Sequence, residues 1–391
     1  MIHRNMEAVI LEASTGFPAI TITGPRQSGK TTLARMLFPK YKYYNLENPE
    51  TRALAKEDPR SIFDGLSEGI ILDEIQKSPD LLSYAQYYLD ETRLIGRLII
   101  TGSNQFEYLK DISQSLAGRT AILKLLPFSI NEVSLLPEQS WEIFAHRGFY
   151  PRLYDKSINP NLYYSSYINT YLERDILALI QVRNLSQFEK FLALCAGRTG
   201  SVLNVNALAI ECGVDHKTVQ AWLSLLQASF VIFLLKPYSA NLNKRLIKSP
   251  KLYFLDPGLA CHLLGIRSES DLQHHPLKGE IFETVVMGEV VKHFYNQGLP
   301  APISYFRDSQ GHEIDLIIET AADIIPVEIK SGKTIQTSFW KNIDYLRKLM
   351  KKNLSAGIIF GDRRAEFSRN TKVSGWDRID IEALIVASKN P

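Results

Sequence analysis

Cysteine is scarce in this sequence: Cys195, Cys212 and Cys261 are the only three among 391 residues. An odd, dispersed set without C-x-x-C spacing excludes a disulfide framework and a cysteine-built zinc site, and it suits a reducing compartment. The eight histidines have no compact metal-ligand spacing, and the adjacent pair His274 and His275 reads as a loop feature. Long hydrophobic runs are lacking as well. No apolar stretch approaches the length that spans a bilayer, and Glu7 interrupts the N-terminus before any secretory apolar region develops. The expectation is a cytoplasmic protein without a transmembrane segment. Nor is there a strong excess of one charge: 45 basic against 42 acidic residues leave a formal charge of +3. A nucleic-acid surface would therefore have to be a local basic patch.

What is present is the composition of a globular protein, with 45% hydrophobic and 22% charged residues. That length suits two or three compact units. Phe17 to Thr23 reads as a buried strand running into a glycine-rich turn, and Lys30 to Phe38 has helical spacing that Pro39 ends. Gly69 to Glu74 and Arg97 to Asn104 suit further strands of a parallel sheet, with a crossover helix between Pro79 and Leu89. The pattern implies an α/β P-loop ATPase core at 1–130 and a helical lid or linker at 131–197. A winged-helix domain is expected at 198–258, with helices at 204–211 and 215–228 followed by strand-like runs. A further α/β domain is expected at 259–391.

Gly24-Pro-Arg-Gln-Ser-Gly-Lys-Thr31 has the full P-loop spacing in the strand, loop and helix context that the motif needs. Gly24 and Gly29 permit tight turns, so that the loop Gly24, Pro25, Arg26, Gln27, Ser28 and Gly29 to Thr32 can surround phosphate oxygens with its N–H groups, which every residue but Pro25 supplies, at a helix N-terminus. Lys30 should reach the terminal phosphates of a bound nucleoside triphosphate, and the Thr31 hydroxyl should coordinate Mg2+. Asp73 at the end of the acidic strand is placed to orient the metal or its waters, and Glu74 to activate the attacking water. Asn104 is a candidate for holding that water, or a turn residue. Arg119 is a candidate phosphate contact, across a subunit boundary in a homo-oligomer, or a surface salt bridge.

A second constellation lies near the C-terminus. Glu283 sits on an apolar helix, Asp315 on one strand, and Glu328 and Lys330 two apart on another, where alternation sends both to one side. Such a set suits metal-assisted phosphodiester hydrolysis, with Asp315 and Glu328 as metal ligands and Lys330 countering developing charge. Edge-strand salt bridges are the alternative. Glu280 and Glu289 are substitutes for Glu283, and His312 is a weaker acid-base candidate. For DNA, the second helix of the winged-helix segment offers His216, Lys217, Thr218, Gln220 and Trp222, with Lys244, Arg245 and Lys248 as a basic wing. The same face could instead meet a protein partner.

With these residues in view, the chain resembles a family of prokaryotic ATP-binding proteins with an N-terminal AAA-type ATPase domain and a C-terminal DUF4143 domain. The resemblance rests on the P-loop, Leu72-Asp-Glu-Ile-Gln76, Thr101-Gly-Ser-Asn104, Ser115-Leu-Ala-Gly-Arg119, Tyr171-Leu-Glu-Arg-Asp175 and Lys251-Leu-Tyr-Phe-Leu-Asp-Pro-Gly258. The family is similar to archaeal ATPases with a winged-helix segment and a restriction-endonuclease-like tail. It implies ATP and Mg2+ as cofactors, the P-loop and acid roles given above, and a nuclease-like pattern on Glu283, Asp315, Glu328 and Lys330. Gly148-Phe-Tyr-Pro151 departs from the family, which usually has a second glycine there, so lid geometry is expected to differ. The function implied is an ATPase that couples ATP binding and hydrolysis to conformational change while engaging DNA. An ATP-regulated nuclease and a nucleotide-dependent switch for a protein partner are the alternatives.

Overall fold

The computed structural model describes every residue except 1, 104–114, 134–138, 171–184, 239–246, 322, 364–365, 369–370 and 390–391. Five strands, β1 (Ala19–Gly24), β2 (Lys42–Asn45), β3 (Ile70–Asp73), β4 (Leu98–Ser103) and β5 (Thr120–Lys124), form a parallel sheet in the order β2-β3-β4-β1-β5. Alternation along the strands feeds two cores. Ile20, Ile22, Ile71 and Ile99 face helices Glu7–Gly16 and Lys30–Leu37, while Ile70, Leu72, Leu98 and Ile100 face helix Leu81–Thr92 and its neighbours. All strands run the same way, so Gly24 and Asp73 come to the same C-terminal edge, where ligands of open α/β sheets bind.

From Phe128 onward one apolar core runs through the helical segment, the next helix pair and the inner face of the last sheet, ending at Leu384. Helix Val205–Cys212 stops at Gly213, whose φ of +71° is the left-handed conformation glycine allows without penalty. Helix His216–Ala228 then starts under an Asp215 cap, whose carboxylate accepts from Thr218 N at 2.8 Å. Beside the pair, β6 (Ser201–Val202), β7 (Ile232–Leu235) and β8 (Lys251–Phe254) make an antiparallel sheet in the order β6-β8-β7. Trp222 is not on the polar face of its helix: it is 4% exposed and packs on Phe188 and Phe191 at ring-centroid distances of 5.4 and 5.1 Å. An indole at helical spacing with Val219 and Leu226 belongs to the apolar stripe.

The last sheet holds β9 (Ile303–Arg307), β10 (Glu313–Glu319), β11 (Ile324–Lys330), β12 (Ala356–Phe360), β13 (Glu366–Ser368) and β14 (Thr371–Gly375) in the order β13-β14-β12-β11-β10-β9. β9, β10 and β11 are antiparallel, and β11, β12 and β14 are parallel. The 19-residue helix Lys278–Asn296 contributes to the long shared core, while Ile343 and Leu346 of helix Lys341–Met350 pack with Ile314 and Ile317. The β9/β10 register shifts between Ile314 and Ile317, the stretch that contains Asp315, and such irregularities re-aim side chains next to functional sites. Asp256 pins the helical segment to the rest. Its buried carboxylate accepts from Phe149 N at 2.8 Å, Leu259 N at 3.0 Å and Tyr164 OH at 2.6 Å.

Candidate functional site

The P-loop leaves β1 through Gly24, where φ is +148° and an added Cβ would lie 2.1 Å from the Leu125 carbonyl oxygen. Only glycine fits that close approach. Gln27 and Gly29 also take left-handed φ values, of +63° and +93°, and the loop closes into helix Lys30–Leu37. The buried Lys30 Nζ donates to the Pro25 carbonyl at 2.7 Å and to the Gly24 carbonyl at 3.1 Å. Burial pushes its pKa down to about 8, opposed by Glu74 and Asp73, with Arg26 adding to the depression. Phosphate oxygens at this loop would offset that burial with opposite charge.

Asp73 is the hub of the site. Its Oδ1 accepts from Thr31 Oγ1 at 2.8 Å and from Thr101 Oγ1, and its Oδ2 accepts from Tyr43 OH at 2.6 Å. Thr31 spends its one proton on Asp73, so its oxygen lone pairs remain available to a cation. These residues therefore fit a hard divalent ion held by Thr31 and, through water, by Asp73. Glu74 follows β3 in a left-handed turn with φ of +57°, uncommon for a residue with a side chain, and its carboxylate accepts from the Gln76 amide. It shares one cavity of about 910 Å³ with Gln27, Gly29, Lys30, Thr31 and Thr32. Pro151, Arg152, Tyr154, Asp155 and Lys156 line the same cavity from beyond the sheet.

An N-terminal arginine underlies the loop. Arg4 is 7% exposed, donating to the Ser28 carbonyl at 2.9 Å, the Leu126 carbonyl at 2.7 Å and Glu132 Oε1 at 3.1 Å. The network continues into the second half: Ile130 N donates to Glu289 at 2.8 Å, and Lys292 bridges Glu289 and the Phe128 carbonyl, each at 2.8 Å. Glu289, a sequence candidate for the distal site, thus belongs to this junction.

Asn104 lies outside the described residues. Arg119 is not at the phosphates of its own chain: its carbonyl accepts from Ala19 N, at the opposite end of β1 from the P-loop. Its guanidinium pairs with Asp90 at 2.6 and 2.8 Å, so the salt-bridge alternative describes it within one chain.

The distal residues do converge. Glu283, Asp315 and Lys330 line a cavity of about 570 Å³ with Lys251, Glu280 and Glu313, and Glu328 is buried beside Lys330. Lys330 Nζ lies 3.1 Å from Asp315 and 2.5 Å from Glu328. Lys251, from β8, lies 3.1 Å from Glu283 and 2.5 Å from Glu313, and Tyr253 OH donates to Glu283. Burial, with Asp315 nearby, raises the pKa of both Glu283 and Glu328. The expected metal pair of Asp315 and Glu328 is therefore occupied by a lysine between the two carboxylates. Among the described residues no group of three or more His, Cys, Asp or Glu side chains is arranged to hold a metal ion. His312 stacks on Tyr345 with ring centroids 3.8 Å apart and contacts Asp308, away from this pocket.

Residues 16–134 match the AAA domain model, 138–270 a domain of unknown function (DUF8612) and 278–382 a domain of unknown function (DUF4143). The uncharacterized proteins Mb2031c of Mycobacterium bovis and Rv2008c of Mycobacterium tuberculosis are each 30% identical over 337 residues, covering 85% of this chain and 74% of theirs. The chain belongs to their family, AAA-domain proteins with a C-terminal DUF4143 domain. An uncharacterized protein of Haemophilus influenzae is 22% identical over 276 residues, covering 66% of this chain and 65% of that one. Among solved structures, the chain is similar to the Walker-type ATPase PABY2304 of Pyrococcus abyssi at 15% identity and a TM-score of 0.46, covering 67% of this chain and 96% of that one. A signal-transduction ATPase with numerous domains from Pyrococcus horikoshii gives 12% identity and a TM-score of 0.24 over 75% of this chain and 47% of that one. In this AAA–DUF4143 chain no helix among the described residues is long and apolar enough to cross a membrane.

Sequence reasoning missed Arg4, Tyr43, Lys251 and the Arg152–Lys156 lining. Lys251 opens a motif that carried the family resemblance, but nothing in its spacing tied it to Glu283. Replacing Arg4 with Ala would leave Glu132 only the Asn5 and Ser129 amides, without its cationic partner, and would remove the donor to the Ser28 and Leu126 carbonyls. A loss of about 3 kcal/mol or more is expected in urea unfolding, in keeping with breaking a buried ion pair; a change below about 0.5 kcal/mol would mean that the clamp contributes little.

Proposed function

We propose that the protein is a magnesium-dependent ATPase that uses ATP binding and hydrolysis to move its second half against the AAA core while engaging DNA. The observation carrying this reading is the Thr31–Asp73 hydrogen bond beside Lys30, in a cavity that Glu74 also lines. Lys30 would leave the loop carbonyls for the terminal phosphates, and the P-loop amides would hold the remaining oxygens. Magnesium on Thr31 would supply charge neutralisation at the β- and γ-phosphates. Glu74 would orient the attacking water and accept its proton. Arg152 and Lys156 reach the cavity from the far side, so a γ-phosphate and its loss would act differently on that wall. Arg4 holds Glu132, which accepts from Ser129 N, and the next amide, Ile130 N, donates to Glu289, so such a displacement has a contiguous route to helix Lys278–Asn296.

The two helices and the β6-β8-β7 sheet support DNA engagement on a winged-helix reading, since His216, Lys217 and Gln220 are exposed on the second helix. Lys248 is exposed as well, while Lys244 and Arg245 lie outside the described residues. A homo-oligomer would be needed for Arg119 to act on a neighbour's nucleotide.

Lys30→Ala should abolish ATP binding, whereas Glu74→Gln should bind ATP and hydrolyse it on the order of 100-fold more slowly or worse; phosphate release and nucleotide binding measured together check both. Hydrolysis at the parent rate in Glu74→Gln would remove Glu74 from the chemistry.

A second reading, an ATP-regulated nuclease, is favoured by one observation: Glu283, Asp315 and Lys330 meet in a cavity open to solvent, with Glu328 beside them. On this reading cleavage of linear, single-stranded or branched DNA in magnesium should be lost in Asp315→Ala with ATPase activity retained. No cleavage by the parent on any of these DNAs would contradict the nuclease reading and leave the tail a binding domain.

A further inference from the structure

Asp73 has about four acceptor positions, and three hydroxyls from three directions take three of them, leaving one for water. Thr31 comes from the P-loop helix. Thr101 comes from β4 and Tyr43 from β2, the strands that flank β3 on either side. The carboxylate is thereby gripped across the sheet as well as from the loop. Tyr43 is itself located by the P-loop helix: the Arg35 guanidinium, one turn beyond Thr31, lies 4.7 Å from the centre of its ring. Alternation on β2 explains the tyrosine pair, because Tyr44 goes to the opposite face and the core there, leaving Tyr43 on the Thr31 side. Burial and the bond to Asp73 raise the Tyr43 pKa, so the phenol remains a donor throughout the working pH range.

From this geometry we propose that Tyr43 is a positioning residue of the nucleotide site, holding Asp73 behind Thr31 as an outer acceptor for the waters of a magnesium–nucleotide complex. The inference rests on the nucleotide-site reading given above. An aspartate restrained on both flanks cannot swing forward to displace Thr31 or rotate its acceptor plane away from metal-bound water. Loss of such an outer-shell partner typically weakens metal affinity 10- to 100-fold. A purely structural tyrosine would behave otherwise, since Phe retains the ring, the packing against Arg35 and nearly all the buried area.

The test is the magnesium dependence of binding of a fluorescent N-methylanthraniloyl ATP to the full chain, comparing the parent with Tyr43→Phe. The half-saturating magnesium concentration should rise roughly tenfold or more, while nucleotide affinity in excess EDTA and the melting temperature stay at the parent values. Superimposable magnesium curves overturn the inference, and so does an affinity loss equal in magnesium and in EDTA. Thr101→Val should shift the curve in the same direction, and its failure to do so while Tyr43→Phe shifts would assign the effect to Tyr43 alone, which supports the proposal. A parent that binds the nucleotide without magnesium dependence, or not at all, overturns the nucleotide-site reading itself, an outcome distinct from equal curves in parent and variant.

Discussion

The hydrogen bond from Thr31 to Asp73 is the constraint around which the first half is arranged. It requires the end of β3 to lie beside the start of the P-loop helix, although 42 residues separate the two in sequence. A parallel sheet achieves this, because the helices between β1 and β2, β2 and β3, and β3 and β4 return the chain so that each of these strands delivers its C-terminal residue to the same edge. β4 intervenes between β1 and β3, and the space it creates is filled by Thr101 reaching Asp73. Gly24 then has no room for a side chain, and Lys30 is buried against loop carbonyls.

Charge buried at the junction ties this edge to everything beyond Leu126. Arg4, Glu132, Glu289 and Lys292 are all withdrawn from solvent and all hydrogen-bonded, which is the condition under which buried ions persist. Helix Lys278–Asn296 carries Glu289 and Lys292 toward the ATPase core and Glu283 toward the distal pocket. Those two acids are about 9 Å apart along the helix axis, six residues at the standard rise. One rigid element therefore runs from the distal pocket to Phe128, a residue that lines the P-loop cavity. The distal pocket is likewise shared, since Lys251 enters it, and Tyr253 bonds its Glu283, from the β6-β8-β7 sheet and not from the sheet that bears Asp315.

How far the sequence alone anticipates this depends on the range of the interaction. Strands β1, β3, β4, β9, β10 and β11 were legible from apolar runs, and the P-loop from its glycines, because these are local patterns. The convergence of Glu283, Asp315 and Lys330 was legible from residue type and strand alternation. Short β2 was not, since Lys-Tyr-Tyr-Asn is partly exposed and has no apolar run, and with it went Tyr43. Arg4 could not be found either: a single arginine near the N-terminus has no spacing signal, and its partners lie 24, 122 and 128 residues away. Trp222 misled for a related reason, while Arg119 pairs with Asp90 as its salt-bridge alternative had it. Residue type suggested chemistry, while strand polarity and the helix stripe fixed where each side chain went.

The claim on which the account turns is that nucleotide sits between the P-loop edge and a wall supplied by residues 151–156. Amide hydrogen exchange of the full chain, with and without magnesium and a non-hydrolysable ATP analogue, tests it directly. Slower exchange in both Gly24–Leu37 and Gly148–Lys156 is the predicted result. Protection confined to the P-loop, with Gly148–Lys156 unchanged, would contradict it.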